Sequence, residues 1–183
     1  MYYLTHIEED HNWSMTANCY AYACDQRTTH IRNGRRCAVP GGTHHNPAFP
    51  IAGDNTYADR LVRGAMRDGL TLLSRGNPAN LHLHPCPRGH YRVALFANKV
   101  GFHWLRHDEV LDRWSWKSGN GGPVYYNVFN NRDGIKRTIY VKNEYLESIN
   151  QDTHKTDILS AEINNMDFIA YFAVPNGGLA VSA

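Results

Sequence analysis

The chain has 183 residues, 42% of them hydrophobic, and its 19 Lys and Arg residues nearly balance 17 Asp and Glu residues, for a net charge of +2. This length and hydrophobic content suffice for one self-supporting core, so we predict a single domain spanning residues 1–183. The charge provides no broad basic field, which argues against a nucleic-acid partner.

The N-terminal residues 1–10 lack the basic start, apolar run and small-residue cleavage site of a secretory signal. No apolar stretch approaches the ~20 residues that cross a bilayer. We therefore expect a soluble protein with no signal peptide and no membrane insertion. It would be cytoplasmic as made, and a target outside the cell would require delivery or release by another route.

The four cysteines are sparse and contain no CxxC pair: Cys19, Cys24, Cys37 and Cys86. This pattern predicts neither a disulfide framework nor a standard zinc site. We expect free thiols and no cofactor.

The first predicted helix lies within residues 16–25, where Thr16 or Asn18 could cap a short run of alanines and aromatics. Cys19 would then lie in the first helical turn. Unpaired backbone N–H groups at such a position favour the thiolate form of cysteine.

A long loop is predicted next, over Arg27 to Gly53, because that segment is rich in Gly, Pro, His and Asn. A clearer helix follows over Asn55 to Asp68 and stops at Gly69. The apolar stripe of this helix predicts core positions at Leu61, Val62, Ala65 and Met66.

Beyond a Pro- and His-containing connection at Pro78 to Arg88, the sequence changes to strands separated by turns. The predicted strands are Tyr91–Ala97, Gly101–Arg106, Arg113–Lys117, Val124–Phe129 and Asp167–Val174. The segment Lys142 to Asn164 favours helix or irregular surface only weakly. Two helices followed by antiparallel strands make the predicted fold class α+β.

His103 is the second residue with predicted chemistry, because it lies on an apolar strand between aromatic side chains. A strand histidine packed against a cysteine-bearing helix can form the thiolate–imidazolium pair of a cysteine hydrolase. A structural cysteine and a core histidine are the competing interpretations.

The sequence resembles a group of bacterial and phage papain-like proteins. Those proteins carry an Asn-Cys-Tyr-Ala-Tyr-Ala helix, a Tyr-His-Trp strand and a Trp-Ser-His-Lys-Pro-Gly strand. The matching segments here are residues 18–23, 103–104, 114–119 and the closing 171–175, about a third of the chain. A more distant resemblance is to the NlpC-type peptidoglycan amidohydrolases. The resemblance implies a papain-like fold, with a cysteine-bearing helix packed on an antiparallel sheet, Cys19 as nucleophile and His103 as base.

One departure from the family pattern concerns the third catalytic position. If residues 101–106 and 113–117 form a hairpin, we expect Trp116 roughly opposite His103, where the related pattern has a histidine. An indole N–H only donates hydrogen bonds, so it cannot orient the imidazole by accepting one. The site would then be a dyad, or Asp108 or Ser118 would provide the orienting group.

The oxyanion donor is expected to be the backbone N–H of Cys19, with the side chain of Asn12 or Asn18 as a further candidate. Helix capping explains Asn18 equally well.

A competing constellation is His82-x-His84-x-Cys86-x-x-x-His90, with His44 and His45 upstream. It offers donors for a metal, although its spacing matches no standard zinc motif. It is the basis of the non-enzyme alternative, a metal-binding or interaction module.

The sequence thus predicts a cysteine peptidase or amidase that cleaves an amide bond in peptidoglycan or in a protein. Thiol acyl transfer remains an alternative because it uses the same nucleophile and base. The oligomeric state stays open.

Overall fold

The computed structural model describes residues 17–26, 37–77, 84–108, 113–117, 124–128 and 165–182. Within them lie the helices α1 (Cys19–Ala23) and α2 (Tyr57–Arg67) and a short 3-10 helix, Gly42–His44. The strands are β1 (Thr71–Arg75), β2 (His90–Ala97), β3 (Phe102–Asp108), β4 (Arg113–Lys117), β5 (Val124–Val128) and β6 (Asp167–Pro175).

The six strands form one sheet in the order β1-β6-β2-β3-β4-β5, and all neighbouring strands are antiparallel. The predicted α+β class is confirmed, since helices accompany an antiparallel sheet. Neither α-helix in the described part of the chain has the length and apolarity that a membrane span requires.

Helix α1 is short and entirely buried. The Asn18 side chain caps it by accepting a hydrogen bond from the backbone N–H of Ala21. It ends at Cys24, followed by Asp25 in the left-handed region at φ 56°. This single turn is held by its packing, because five residues are too few for a helix to be stable alone.

Helix α1 packs on strands β3 and β4. The ring of Tyr20 lies 5.0 Å from that of Trp104, and the hydroxyl of Tyr22 donates to Ser115 Oγ at 2.6 Å. These contacts fix the face of the sheet on which α1 lies.

Helix α2 confirms the predicted stripe at Leu61, Val62 and Ala65, which are buried. The prediction for Met66 was wrong, because this side chain lies at the edge of the stripe and is 48% exposed. Gly69 follows the helix at φ 103°, a conformation that favours glycine, and so acts as the predicted stop.

The sheet has two distinct sides. One, the helix face, belongs to a core that includes Cys19, Tyr20, Leu61, Val93, Leu95, Trp104 and Phe172. The other, the opposite face, holds a second cluster: Ala94, Phe96, Leu105, Trp114, Trp116, Phe168 and Tyr171. The alternation of 93, 95 and 94, 96 between the clusters follows the two-residue period of a strand.

The five predicted strands are all present, with ends shifted by one or two residues. Strand β1 was missed by the sequence analysis. Its register with β6 shifts between Leu72 and Ser74, so its burial does not alternate regularly. Residues 27–36, 78–83 and 142–164, about which loop or helix predictions were made, lie outside or almost outside the described residues.

Candidate active site around Cys19

Cys19 is the first residue of α1 and lies in the core between this helix and the sheet, where it is 6% exposed. The predicted placement of Cys19 in the first helical turn is confirmed. Two buried polar side chains from other elements, Tyr57 and Lys117, lie close enough for the charge of its thiolate to raise their pKa values.

His103 does not lie beside Cys19. In the β2–β3 ladder, His103 pairs with Phe96, whereas the next residue, Trp104, pairs with Leu95. Phe96 belongs to the opposite face, while Leu95 and Trp104 share the helix face with Cys19. Because successive strand residues point to opposite sides, His103 faces away from α1. The predicted Cys19–His103 pair is therefore corrected.

The protonation of His103 agrees with this placement. The side chain is 4% exposed, and burial lowers the pKa of its imidazole to about 4. A neighbouring thiolate would have acted in the other direction, by stabilising the imidazolium. His103 is thus a neutral imidazole of the opposite face at neutral pH.

The predicted register of the β3–β4 hairpin was also wrong. Strand β3 extends to Asp108, and the ladder pairs Arg106 with Ser115 and His107 with Trp114. Continuing this register places Trp116 beside Leu105, with which it shares the opposite face. The loop is shorter than predicted, which moves the pairing by two residues.

Lys117 takes the place on the helix face that had been expected for a histidine base. It follows Ser115 by two residues, and Ser115 contacts Tyr22 of α1, so both side chains belong to the side that α1 covers. The extended register puts Lys117 next to Trp104. Lys117 is 1% exposed, a rare burial for a lysine.

Two opposing effects set the pKa of Lys117. Burial lowers it, and the negative charge of an ionised Cys19 raises it by a smaller amount. The net direction is downward, so the Lys117 amine accepts and releases a proton more readily than a lysine in water.

Tyr57 begins α2 and is also buried beside Cys19. Burial raises the pKa of its phenol to about 12, with a further upward contribution from the Cys19 thiolate and a downward one from Arg60. The hydroxyl therefore keeps its proton and is a hydrogen-bond donor at neutral pH.

Cys24, at the other end of α1, is in a different environment. Burial is the main reason that the pKa of its thiol is raised, and the nearby Asp68 carboxylate raises it further. Tyr20 donates to Asp68 Oδ2 at 2.8 Å, as does the backbone N–H of Gly41 at 2.7 Å. Cys24 is therefore expected to remain a protonated thiol.

The other predicted site residues have different fates. Both ends of the Asn18 amide serve the fold, because Nδ2 donates to the carbonyl of Ala38 and Oδ1 caps α1. Asn18 is thus a cap rather than an oxyanion donor. Asp108 is the last residue of β3 and pairs with Arg113. Asn12 and Ser118 lie outside the described residues.

The His- and Cys-rich segment was the alternative candidate. His82 lies outside the described residues, and no group of three or more His, Cys, Asp or Glu side chains within the described ranges could hold a metal ion. The four cysteines are free.

Sequence reasoning missed Lys117 and Tyr57, although a signal was present for each. In the strand Arg113–Lys117, Lys117 shares the parity of Ser115, opposite to that of the two tryptophans. Tyr57 precedes Leu61 and Ala65 at intervals of four, so it lies on the buried stripe of α2.

No protein-family model matches this chain, and no curated protein or solved structure matches it with significant similarity.

Proposed function

We propose that this protein is a thiol-dependent hydrolase in which Cys19 is the nucleophile and Lys117, rather than His103, is the base. One observation carries the proposal: Cys19 and Lys117 are both buried on the helix face, close enough for their charges to interact. A buried lysine requires a partner for its charge, and a thiol that can ionise is such a partner.

The chemistry of the pair follows from proton transfer. The Lys117 amine takes the proton of Cys19, and the thiolate attacks the acyl carbon of an amide. The tetrahedral intermediate breaks its C–N bond, and the Lys117 ammonium gives its proton to the leaving amine. The same amine then takes a proton from the water that hydrolyses the thioester.

The lowered pKa of Lys117 supports this role. A lysine at its ordinary value of about 10.4 holds its proton too tightly to act as a base at neutral pH. Burial weakens that hold, as it does for the lysines that other enzymes use as bases.

A papain-like arrangement, with a cysteine-bearing helix packed on an antiparallel sheet, is part of the proposal. It is supported by the packing of α1 on β3 and β4 and by the resemblance of the motifs around Cys19 and Lys117. The proposed substrate is an amide in a peptide, either a peptidoglycan stem peptide or a protein. Acyl transfer would use the same two residues, with an amine in place of water.

The test uses iodoacetamide, which alkylates thiolates without requiring a substrate. The full chain is labelled at pH ~6 and the rate at each cysteine is followed by mass spectrometry, because a stabilised thiolate reacts below the usual thiol pKa of ~8.5. Cys19 should react before Cys24, Cys37 and Cys86.

Three variants identify the base. Lys117→Met removes the charge while filling a similar volume and should slow Cys19 labelling about 10-fold, since an adjacent cation lowers an acidic pKa by one unit or more. Lys117→Arg keeps the charge and should retain part of the rate. His103→Gln should leave the rate unchanged, because His103 lies on the opposite face.

Two outcomes would reject the proposal. Equal labelling of all four cysteines in the wild-type protein would mean that Cys19 is no activated thiol. Slow labelling in His103→Gln together with a normal rate in Lys117→Met would restore the histidine as the base.

A further inference from the structure

The Tyr57 side chain differs from the other buried tyrosines of the described residues in the environment of its hydroxyl. The hydroxyl of Tyr20 donates to Asp68, that of Tyr22 to Ser115 and that of Tyr91 to the carbonyl of Ala23. Tyr57 is 3% exposed, yet its hydroxyl makes no hydrogen bond within the described parts of the chain.

A buried hydroxyl without a partner is unfavourable, because it gives up its hydrogen bonds to water and gains none in return. A phenylalanine would fill the same space without that loss. The Tyr57 hydroxyl thus provides an unused donor beside the proposed nucleophile, since the Cys19 thiolate is near enough to affect its pKa.

The ring of Tyr57 is held in place by its own helix. The guanidinium of Arg60 lies 5.5 Å from the ring centroid. Arg60 is itself fixed, because Nη2 donates to Asp54 Oδ2 and Nη1 to the carbonyl of Phe49, each at 2.6 Å. The donor is therefore positioned before any substrate binds, which is the condition for effective stabilisation of a developing charge.

We infer that the Tyr57 hydroxyl is the oxyanion donor of the Cys19 site. This inference rests on the proposed function. When the Cys19 sulfur forms its bond to the acyl carbon, the carbonyl π electrons move to oxygen, and the Tyr57 O–H donates a hydrogen bond to that oxygen. When the carbonyl re-forms, the leaving group departs with its bonding electrons and the hydrogen bond weakens. Tyr57 keeps its proton throughout.

The site would therefore accept acyl substrates whose carbonyl oxygen can reach Tyr57 while the acyl carbon contacts Cys19. A tyrosine donor of this kind acts on any acyl group, so it defines the reaction class as attack on a carbonyl. Displacement at a saturated carbon forms no oxyanion and would gain nothing from it.

That difference provides the experiment. The full chain and its Tyr57→Phe variant are each treated with p-nitrophenyl acetate, which acylates a thiol through a tetrahedral oxyanion, and with iodoacetamide, which alkylates it without one. Acylation of Cys19 is followed by release of p-nitrophenolate and by mass spectrometry. Tyr91→Phe is the matched control, since it removes a buried hydroxyl whose partner is the carbonyl of Ala23.

Tyr57→Phe should slow acylation of Cys19 by about 100-fold, the typical effect of removing one oxyanion donor. Its alkylation rate should not change, and Tyr91→Phe should change neither rate. Equal loss of both rates in Tyr57→Phe would overturn the inference, because Tyr57 would then act on the thiol itself. An unchanged acylation rate would also overturn it. Wild-type protein whose Cys19 is not acylated at all would instead reject the proposed function.

Discussion

The pH dependence of stability at His103 separates the two possible bases. Burial places the pKa of His103 at about 4 in the folded protein, whereas a histidine in an unfolded chain has a pKa of about 6.5. Between these values the unfolded state binds a proton that the folded state does not. Stability therefore falls as the pH decreases through this window.

The size of the effect follows from the two pKa values. Their difference corresponds to about 3 kcal/mol once both states are protonated, below pH ~4. By pH ~5 about 2 kcal/mol of this should already be lost relative to pH ~7.5. His103→Gln removes the titrating group, so this variant should lose about 2 kcal/mol less than the wild-type protein over the same range.

Urea unfolding at the two pH values, followed by tryptophan fluorescence, gives the free energy of unfolding of each protein. The control variant is His45→Gln, which changes an exposed histidine and should keep the wild-type loss. An NMR titration of the His103 ring measures the same pKa directly. A His103 pKa above 7 that returns to a lower value in Cys19→Ser would refute the assignment to the opposite face, because only a thiolate–imidazolium pair explains it.

Two further predictions concern the packing that holds the site. Tyr22→Phe should reduce the free energy of unfolding by about 1 kcal/mol, because it removes the 2.6 Å hydrogen bond from α1 to Ser115; urea unfolding measures this, and an unchanged value would mean that the bond does not anchor α1. Gly64→Ala should destabilise the protein by about 3 kcal/mol, since its Cβ would lie 2.5 Å from the carbonyl oxygen of Pro40 and the backbone would have to move; a thermal melt equal to that of the wild-type protein would contradict this close approach.

Much of the local structure could be predicted from the sequence. The capped turn at Cys19, the stripe of α2 with its glycine stop and the five longer strands depend on neighbours within a few residues, and such patterns are visible in a single chain. Strand β1 was missed because its register is irregular and its stability depends on pairing with β6, which is almost a hundred residues away in sequence.

The identity of the base was decided by the tertiary structure. A shift of one residue moves a strand side chain from one face of a sheet to the other, and a two-residue error in the hairpin changes every cross-strand neighbour. The sequence places His103 and Trp104 side by side, but it does not state which of them faces α1. The pairing of Trp104 with Leu95 determines that, and it leaves His103 on the opposite face and Lys117 on the side of Cys19.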